Sequence, residues 1–144
     1  MLYFAYGPNM LKEMLELRVG PVTDLGLGIL HHFKLAFNKE SRDGSGKTNL
    51  VPKKNESVLG VVFELSEHQM KMLDAKETGY SRKTIHVVMN ENKLEMTTYI
   101  ADHNRVNNKV FPAKEYMQIL ILGALEHNFF SDYIEILRSI ITQD

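Results

Sequence analysis

Residues 2–9, Leu-Tyr-Phe-Ala-Tyr-Gly-Pro-Asn, open the chain with an apolar, aromatic run that ends in a Gly-Pro pair. Such a run predicts a buried strand over residues 2–6 that leads directly into a tight turn. Asn9 is a good N-cap, and apolar residues recur at helical spacing over residues 10–17, so a helix of about two turns is predicted next. Because a strand–turn–helix joint directs backbone N–H groups beyond the strand end, this turn is a candidate site for a carboxylate or an oxyanion.

The remaining strands and helices follow no regular alternation. Alternating apolar residues predict a second strand over residues 26–37, and a β-branched run predicts a third over residues 57–65. Residues 38–54 are polar and rich in Gly, Ser, Lys and Asn, which predicts a mobile loop with at most a short strand at residues 49–52. Residues 83–89 and 95–101 are predicted to form a hairpin.

Helices are predicted after the third strand and in the last third of the chain. Ser66 is expected to cap the first of them, with Met70 and Leu73 facing inward. Pro112 fits the first turn of a helix that runs to about residue 126, and its apolar residues 117–125 predict burial in the core or against a partner chain. Ser131 is expected to cap a last helix whose apolar face extends to Ile141. These elements predict an α+β fold whose mixed or mainly antiparallel sheet closes into a small β-barrel flanked by helices.

Composition excludes several classes of protein. The 144 residues are 44% hydrophobic and 24% charged, which is typical of one globular domain over residues 1–144 and not of a disordered chain. The 17 basic and 18 acidic side chains nearly cancel, so there is no basic surplus for a nucleic-acid partner. The absence of cysteine excludes disulfides, zinc–thiolate sites and a cysteine nucleophile. No signal peptide or membrane span is visible, so a cytoplasmic protein with no membrane partner is expected.

Three familiar motifs are absent or incomplete. Residues 44–48, Gly-Ser-Gly-Lys-Thr, resemble the end of a phosphate-binding loop, but Ser41 stands where that motif requires glycine. The six histidines show no metal-binding spacing, so no metal site is predicted. No Gly-x-Ser-x-Gly sequence marks a serine hydrolase.

Residues 3–10 resemble the opening signature of the γ-glutamylcyclotransferase-like family, whose centre is usually Tyr-Gly-Ser-Asn and here is Tyr-Gly-Pro-Asn. Residues 58–65 resemble the central strand of that family, and Leu73-Asp74-Ala75-Lys76-Glu77 resembles its Leu-Asp-x-x-Glu segment. Thr98-Tyr99 resembles a later strand, and residues 112–140 resemble the C-terminal helical pair. The order of these pieces along nearly the whole chain makes the resemblance fairly specific.

The resemblance implies an enzyme of glutathione metabolism that needs no cofactor and acts on a small-molecule γ-glutamyl substrate. The α-amine of the γ-glutamyl group attacks its own γ-carbonyl, which releases 5-oxoproline and an amine or amino acid. Glu77 matches the catalytic glutamate of the family, and a carboxylate suits the required proton transfers. Asp74, one turn earlier, is a second candidate base that the motif favours less.

The other candidate site residues are substrate contacts in the same resemblance: Tyr6, Gly7, Pro8, Asn9, Tyr80 and Tyr99. Pro8 departs from the family pattern, because proline has no backbone N–H and lacks the hydroxyl of the usual serine. A catalytically silent module that binds γ-glutamyl compounds or 5-oxoproline therefore stays open as an alternative. A monomer and a homodimer are equally compatible with the sequence.

Overall fold

Five strands close into a barrel in the computed structural model, which describes residues 1–143. The strands are β1 (Leu2–Ala5), β2 (Thr23–Glu40), β3 (Gly46–Glu64), β4 (Tyr80–Met89) and β5 (Asn92–Ala101). They follow one another around the barrel in the order β1-β3-β2-β4-β5. Neighbouring strands are antiparallel except β1 and β5, which pair in parallel at Tyr3 and Thr97. The predicted α+β fold, a mixed β-barrel flanked by helices, is confirmed.

Four helices pack outside the barrel: α1 (Lys12–Val19), α2 (Glu67–Lys76), α3 (Lys114–Glu126) and α4 (Ser131–Arg138). Two short 3-10 helices cover Pro8–Met10 and His103–Arg105. Ser66 caps α2 as predicted, through a capping box with Gln69. Within residues 1–143, no helix has both the length and the apolar character needed to cross a bilayer.

Three predictions of helix starts are wrong. Asn9 lies inside the first 3-10 helix, and Leu11 is the residue that precedes α1. Pro112 lies ahead of α3, whose N-cap is Ala113, and Phe130 stands at the N-cap of α4 in place of Ser131. The side chain of Asn9 is buried and bonded elsewhere, so it is not free to cap a helix.

Period-two alternation along the strands divides the apolar side chains into two layers. Phe4 and Val62 point into the barrel, where they join a buried cluster with Leu30 and Val87. The alternate residues of β1 and β3 face the helices and join a second cluster: Tyr3, Ala5, Leu59, Val61 and Phe63. Both faces of β1 and of this part of β3 are therefore buried, which explains the continuous apolar runs in the sequence.

The predicted mobile loop at residues 38–54 is wrong. Strands β2 and β3 form one long hairpin across most of this segment, and only residues 41–45 make the connecting turn. Some of the polar residues are buried and bonded to one another: Asn49 Nδ2 donates to Asn38 Oδ1 at 3.0 Å. Others, among them Lys39, Lys47 and Thr48, line a cavity, whereas Lys53 and Lys54 are exposed on β3.

The C-terminal helices are buried on one side only, which corrects the expectation for residues 117–125. Met117 and Leu120 are buried, whereas Leu122 and Leu125 are 53% and 44% exposed. Ile141, expected in the core, is 71% exposed. A helix packed on the outside of a barrel can bury only the face that contacts the sheet and its neighbours.

Candidate active site

A cavity of about 710 Å³ opens where β1 runs into the turn at residues 7–9. The tip of the β2–β3 hairpin, the end of α2 and the start of α3 form the other walls. All of the candidate site residues line it: Tyr6, Gly7, Pro8, Asn9, Glu77, Tyr80 and Tyr99. The fold therefore brings together residues that are up to 93 positions apart in the chain.

Glu77 stands at the C-terminal end of α2, and its side chain points back toward the turn. Its backbone leaves helical geometry, with φ −90° and ψ 60°. Asn9 Nδ2 donates a hydrogen bond to Glu77 Oε1 at 3.1 Å. Burial raises the pKa of the Glu77 carboxyl, although Arg18 and the Asn9 hydrogen bond act in the opposite direction. A buried carboxyl whose pKa is raised is well suited to accept and return a proton.

Asn9 links the turn to the acid. Its Nδ2 donates to the hydroxyl oxygen of Tyr3 at 3.0 Å as well as to Glu77. An ionised Glu77 can only accept, so its contact requires the Asn9 nitrogen on this side and Oδ1 faces the other way. Oδ1 is buried and has no hydrogen-bond partner among the described residues. A buried acceptor without a partner is costly in a protein, and a ligand that donates a hydrogen bond satisfies it.

Asp74, the second candidate base, is engaged elsewhere. Arg82 donates to its two carboxylate oxygens from Nε and Nη2, each at 2.8 Å, and Tyr99 donates at 2.6 Å. The Arg82 hydrogen bonds hold the pKa of Asp74 below its usual range. Asp74 does not line the cavity, so its geometry favours a structural role.

The tyrosine hydroxyls donate to the protein. Tyr6 donates to the backbone carbonyl of Tyr99, and Tyr80 donates to the carbonyl of Thr48 at 2.7 Å. Burial raises the pKa of both phenols, so both stay protonated at neutral pH. Their rings form part of the cavity wall. Because each O–H is already used, their hydroxyl oxygens can only accept a hydrogen bond from a substrate.

Sequence reasoning missed several residues that line the cavity. Thr48 donates its backbone N–H to the hydroxyl oxygen of Tyr116 at 2.9 Å, across 68 positions of the chain. Lys39 and Arg18 also line the cavity, one from β2 and one from α1. For Lys39 and Thr48 the only sequence signal was the polar character of residues 38–54, which resembled that of a loop, and no signal marked Arg18 or Tyr116. Within residues 1–143, no cluster of three or more His, Asp or Glu side chains is placed to hold a metal ion.

Comparison with known proteins gives the family of this barrel. The model of the AIG2-like family matches residues 57–137, which is more than half of the chain. Two curated relatives are named γ-glutamylcyclotransferase. The human protein is 28% identical and the bovine protein 26% identical, and each match covers 99% of this chain and 80% of the relative. A solved structure titled γ-glutamyl cyclotransferase superposes with a TM-score of 0.90 at 26% identity, over 99% of this chain and 89% of that one.

A closed barrel with helices outside is the fold that this solved structure shares. The chain belongs to the AIG2-like family, among its γ-glutamylcyclotransferase-like members.

Proposed function

We propose that this protein is a γ-glutamylcyclotransferase-type enzyme, with Glu77 as the general acid and base. The observation that carries the proposal is the hydrogen bond from Asn9 to Glu77, which joins the turn and the acid in one cavity. The names of the curated relatives support the same reaction class. The raised pKa of Glu77 supports the role given to this side chain.

The reaction needs proton transfers and good positioning. The substrate α-ammonium first gives a proton to Glu77, and its nitrogen then attacks the γ-carbonyl carbon and forms the ring C–N bond. The bond from that carbon to the leaving nitrogen breaks as this nitrogen receives the proton that Glu77 holds. Glu77 then takes the second proton of the ring nitrogen and passes it to the released amine, which leaves as an ammonium ion. The products are 5-oxoproline and an amine, so no water or cofactor is consumed. Because nucleophile and electrophile belong to one molecule, orientation in the cavity removes much of the barrier.

Asn9 and the turn are the groups proposed to orient the γ-glutamyl half. The unpartnered Oδ1 of Asn9 is an acceptor for the substrate ammonium beside Glu77. Since Pro8 has no N–H, the amides of Gly7 and Asn9 are the donors that residues 7–9 can offer to a carboxylate or an oxyanion. Gly7 lies close to Thr48: a Cβ added to it would lie 2.5 Å from Thr48 Oγ1.

The direct test is release of 5-oxoproline from a panel of γ-glutamyl amino acids and γ-glutamyl amines, measured by chromatography. We expect turnover of at least one member of the panel. Binding of 5-oxoproline or of a γ-glutamyl compound without any turnover would support the silent binding module and contradict the enzyme. Pro8→Ser then becomes the informative variant, because it restores the N–H and the hydroxyl that the family usually has.

The pH dependence of the reaction reports on Glu77. Only the ionised carboxylate accepts a proton, so kcat/KM rises with pH as Glu77 loses its proton. Because burial raises the pKa of Glu77, we expect the midpoint of this acidic limb above 4.5, the ordinary value for the group. The measurement is kcat/KM from about pH 4 to about pH 9 with one substrate of the panel. A limb centred at or below the ordinary value would contradict the assignment.

A further inference from the structure

Three basic side chains, Lys39, Lys47 and Arg105, line the cavity and are here called the basic wall. Lys39 is only 6% exposed, which is unusual for lysine. Among residues 1–143, no carboxylate lies within 4.0 Å of a side-chain nitrogen of any of the three. A buried cation is normally paired, so Lys39 lacks the negative partner that its burial calls for. Lys47 is partly buried and Arg105 is exposed at the rim of the same wall.

The fold holds the basic wall in place through a network of asparagines. Asn38 Nδ2 donates to Asn108 Oδ1 at 2.9 Å, and the backbone N–H of Asn107 donates to the Asn38 carbonyl at 2.7 Å. These bonds fasten the segment that carries Arg105 against the strand that carries Lys39. Lys39 also forms an isolated bridge with Val106, next to Arg105.

The side chains of Lys39 and Arg105 both lie close to Gly79. A Cβ added to Gly79 would lie 2.8 Å from Lys39 Cε and 3.2 Å from Arg105 Nη1. Its φ of +85° also favours glycine. Since Gly79 follows Glu77 by two residues, the basic side chains lie over the segment that carries the proposed acid.

Aromatic faces are the main contacts of the two lysines. Lys39 Nζ lies 5.1 Å from the ring centre of Tyr80, and Lys47 Nζ lies 4.6 Å from that of Tyr116. Such contacts stabilise a cation without using its N–H donors. Burial, then Arg105 and Lys47, lower the pKa of Lys39, which is the sign expected for crowded like charges.

Two acids, Glu77 and Asp102, raise the pKa of Lys39. Asp102 already accepts a hydrogen bond from the hydroxyl of Ser81, and Glu77 accepts one from Asn9. Glu77 is also the group that receives the substrate proton in the proposed reaction. Asp43 and Glu115 also line the cavity, and Asp43 interacts electrostatically with Lys47. The same lining holds six basic side chains against these two acids and Glu77, so a positive excess remains.

We propose that the basic wall selects γ-glutamyl substrates whose leaving half is an acidic amino acid, with two carboxylates. This inference rests on the proposed function and names its substrate class. The α-carboxylate of any leaving amino acid balances one of the three positive charges. A second carboxylate, on the side chain of the leaving amino acid, balances a second positive charge. An acidic leaving amino acid therefore brings the net charge of the basic wall closest to zero. The free N–H donors of Lys39, Lys47 and Arg105 provide charge-assisted hydrogen bonds to both carboxylates.

The test compares γ-glutamyl-glutamate with γ-glutamyl-glutamine, which have nearly the same shape and differ by one charge. We expect kcat/KM for the acid to exceed that for the amide by about tenfold, and this ratio to fall with added salt. Lys39→Met and Arg105→Gln should each bring the ratio close to one. Lys93→Gln, which removes an exposed charge outside the cavity, should leave the ratio unchanged.

Calorimetric binding of the same two dipeptides to the Glu77→Gln variant, which should not turn them over, separates this inference from the proposed function. Tighter binding of the acid that is lost in a Lys39→Met/Glu77→Gln double variant supports the inference even if the wild type releases no 5-oxoproline. Equal binding of the two dipeptides, or a preference that survives Lys39→Met and Arg105→Gln, overturns it. Turnover of both dipeptides at equal kcat/KM overturns the inference and leaves the proposed function intact. Failure to bind either dipeptide overturns the inference, whereas the proposed function is overturned only if no member of the wider panel releases 5-oxoproline.

Discussion

Glu77→Gln is expected to lower kcat/KM for 5-oxoproline release by at least about 100-fold, because glutamine cannot accept the substrate proton. The shape of the site should be retained. The glutamine side chain has nearly the same volume, and its oxygen still accepts the hydrogen bond that Asn9 Nδ2 donates to Glu77 Oε1. The loss should therefore appear mainly in kcat, while the variant still binds substrate.

The same variant should be more heat-stable than the wild type at neutral pH. Burial raises the pKa of Glu77 in the folded protein, so the folded state holds this proton more firmly than the unfolded chain does. At a pH below the pKa in the unfolded chain, the carboxyl is neutral in both states and costs nothing. As the pH rises through the folded pKa, ionisation of the buried group lowers stability. The gain in Tm of Glu77→Gln should therefore grow as the pH rises from the pKa of Glu77 in the unfolded chain to its higher pKa in the folded protein.

The matched control for this variant is Glu56→Gln, which removes the charge of an exposed glutamate on β3 outside the cavity. It should change neither kcat/KM nor Tm appreciably. Two measurements decide the outcome: 5-oxoproline release at fixed substrate, and thermal unfolding across the acidic and neutral range. Full activity of Glu77→Gln would remove Glu77 from the mechanism. A lower Tm at neutral pH would contradict the account of its burial.

Gly60→Ala is expected to destabilise the barrel strongly. A Cβ at this position would lie 2.5 Å from the carbonyl oxygen of Ala5 and 2.5 Å from Phe4 Cζ. Phe4 is fully buried inside the barrel, so its ring cannot move aside, and the Ala5 oxygen belongs to the backbone of β1. Overpacking of this kind costs about 3 kcal/mol, which corresponds to a fall in Tm of about 10 °C for a chain of this size.

Gly44→Ala separates this steric effect from the conformational cost of replacing glycine. Gly44 has a φ of +83°, yet nothing lies within 4 Å of an added Cβ. It lies in the exposed turn between β2 and β3, so the expected cost is about 1 kcal/mol. Chemical denaturation of both variants measures the difference directly. Equal losses at Gly60 and Gly44 would show that contact with Phe4 does not limit the packing of the barrel.

Without the family resemblance, the candidate site was predictable only where its residues are neighbours in sequence. Residues 2–9 predicted a strand and a turn from local pattern alone, and the family resemblance added Glu77. The pairing of Asn9 with Glu77 spans 68 positions, and no local pattern encodes such a contact. Likewise, the sequence left Asp74 open as a base, and only its contacts with Arg82 and Tyr99 show that both of its oxygens are occupied.

The polar character of residues 38–54 led to the wrong prediction of a loop. Asn38 and Asn49 resembled loop residues because polar side chains are usually exposed, yet each is buried as a partner for the other. For helix α3 the prediction was wrong in the opposite direction, because it overestimated burial. Its apolar run predicted full burial, but a helix on the outer surface of a barrel leaves side chains such as Leu122 in solvent.

By itself, the sequence determined most of the strands and helices and the class of fold, because hydrophobic periodicity and turn residues act over a few neighbouring positions. It also determined what the chemistry can use, since a chain without cysteine has no thiol nucleophile to offer. Only the tertiary structure decided that Glu77 is buried beside Asn9 and that the basic side chain of Lys39 lies without a carboxylate partner. Burial and charge pairing depend on which distant segments meet when the barrel closes, and that is a property of the whole fold.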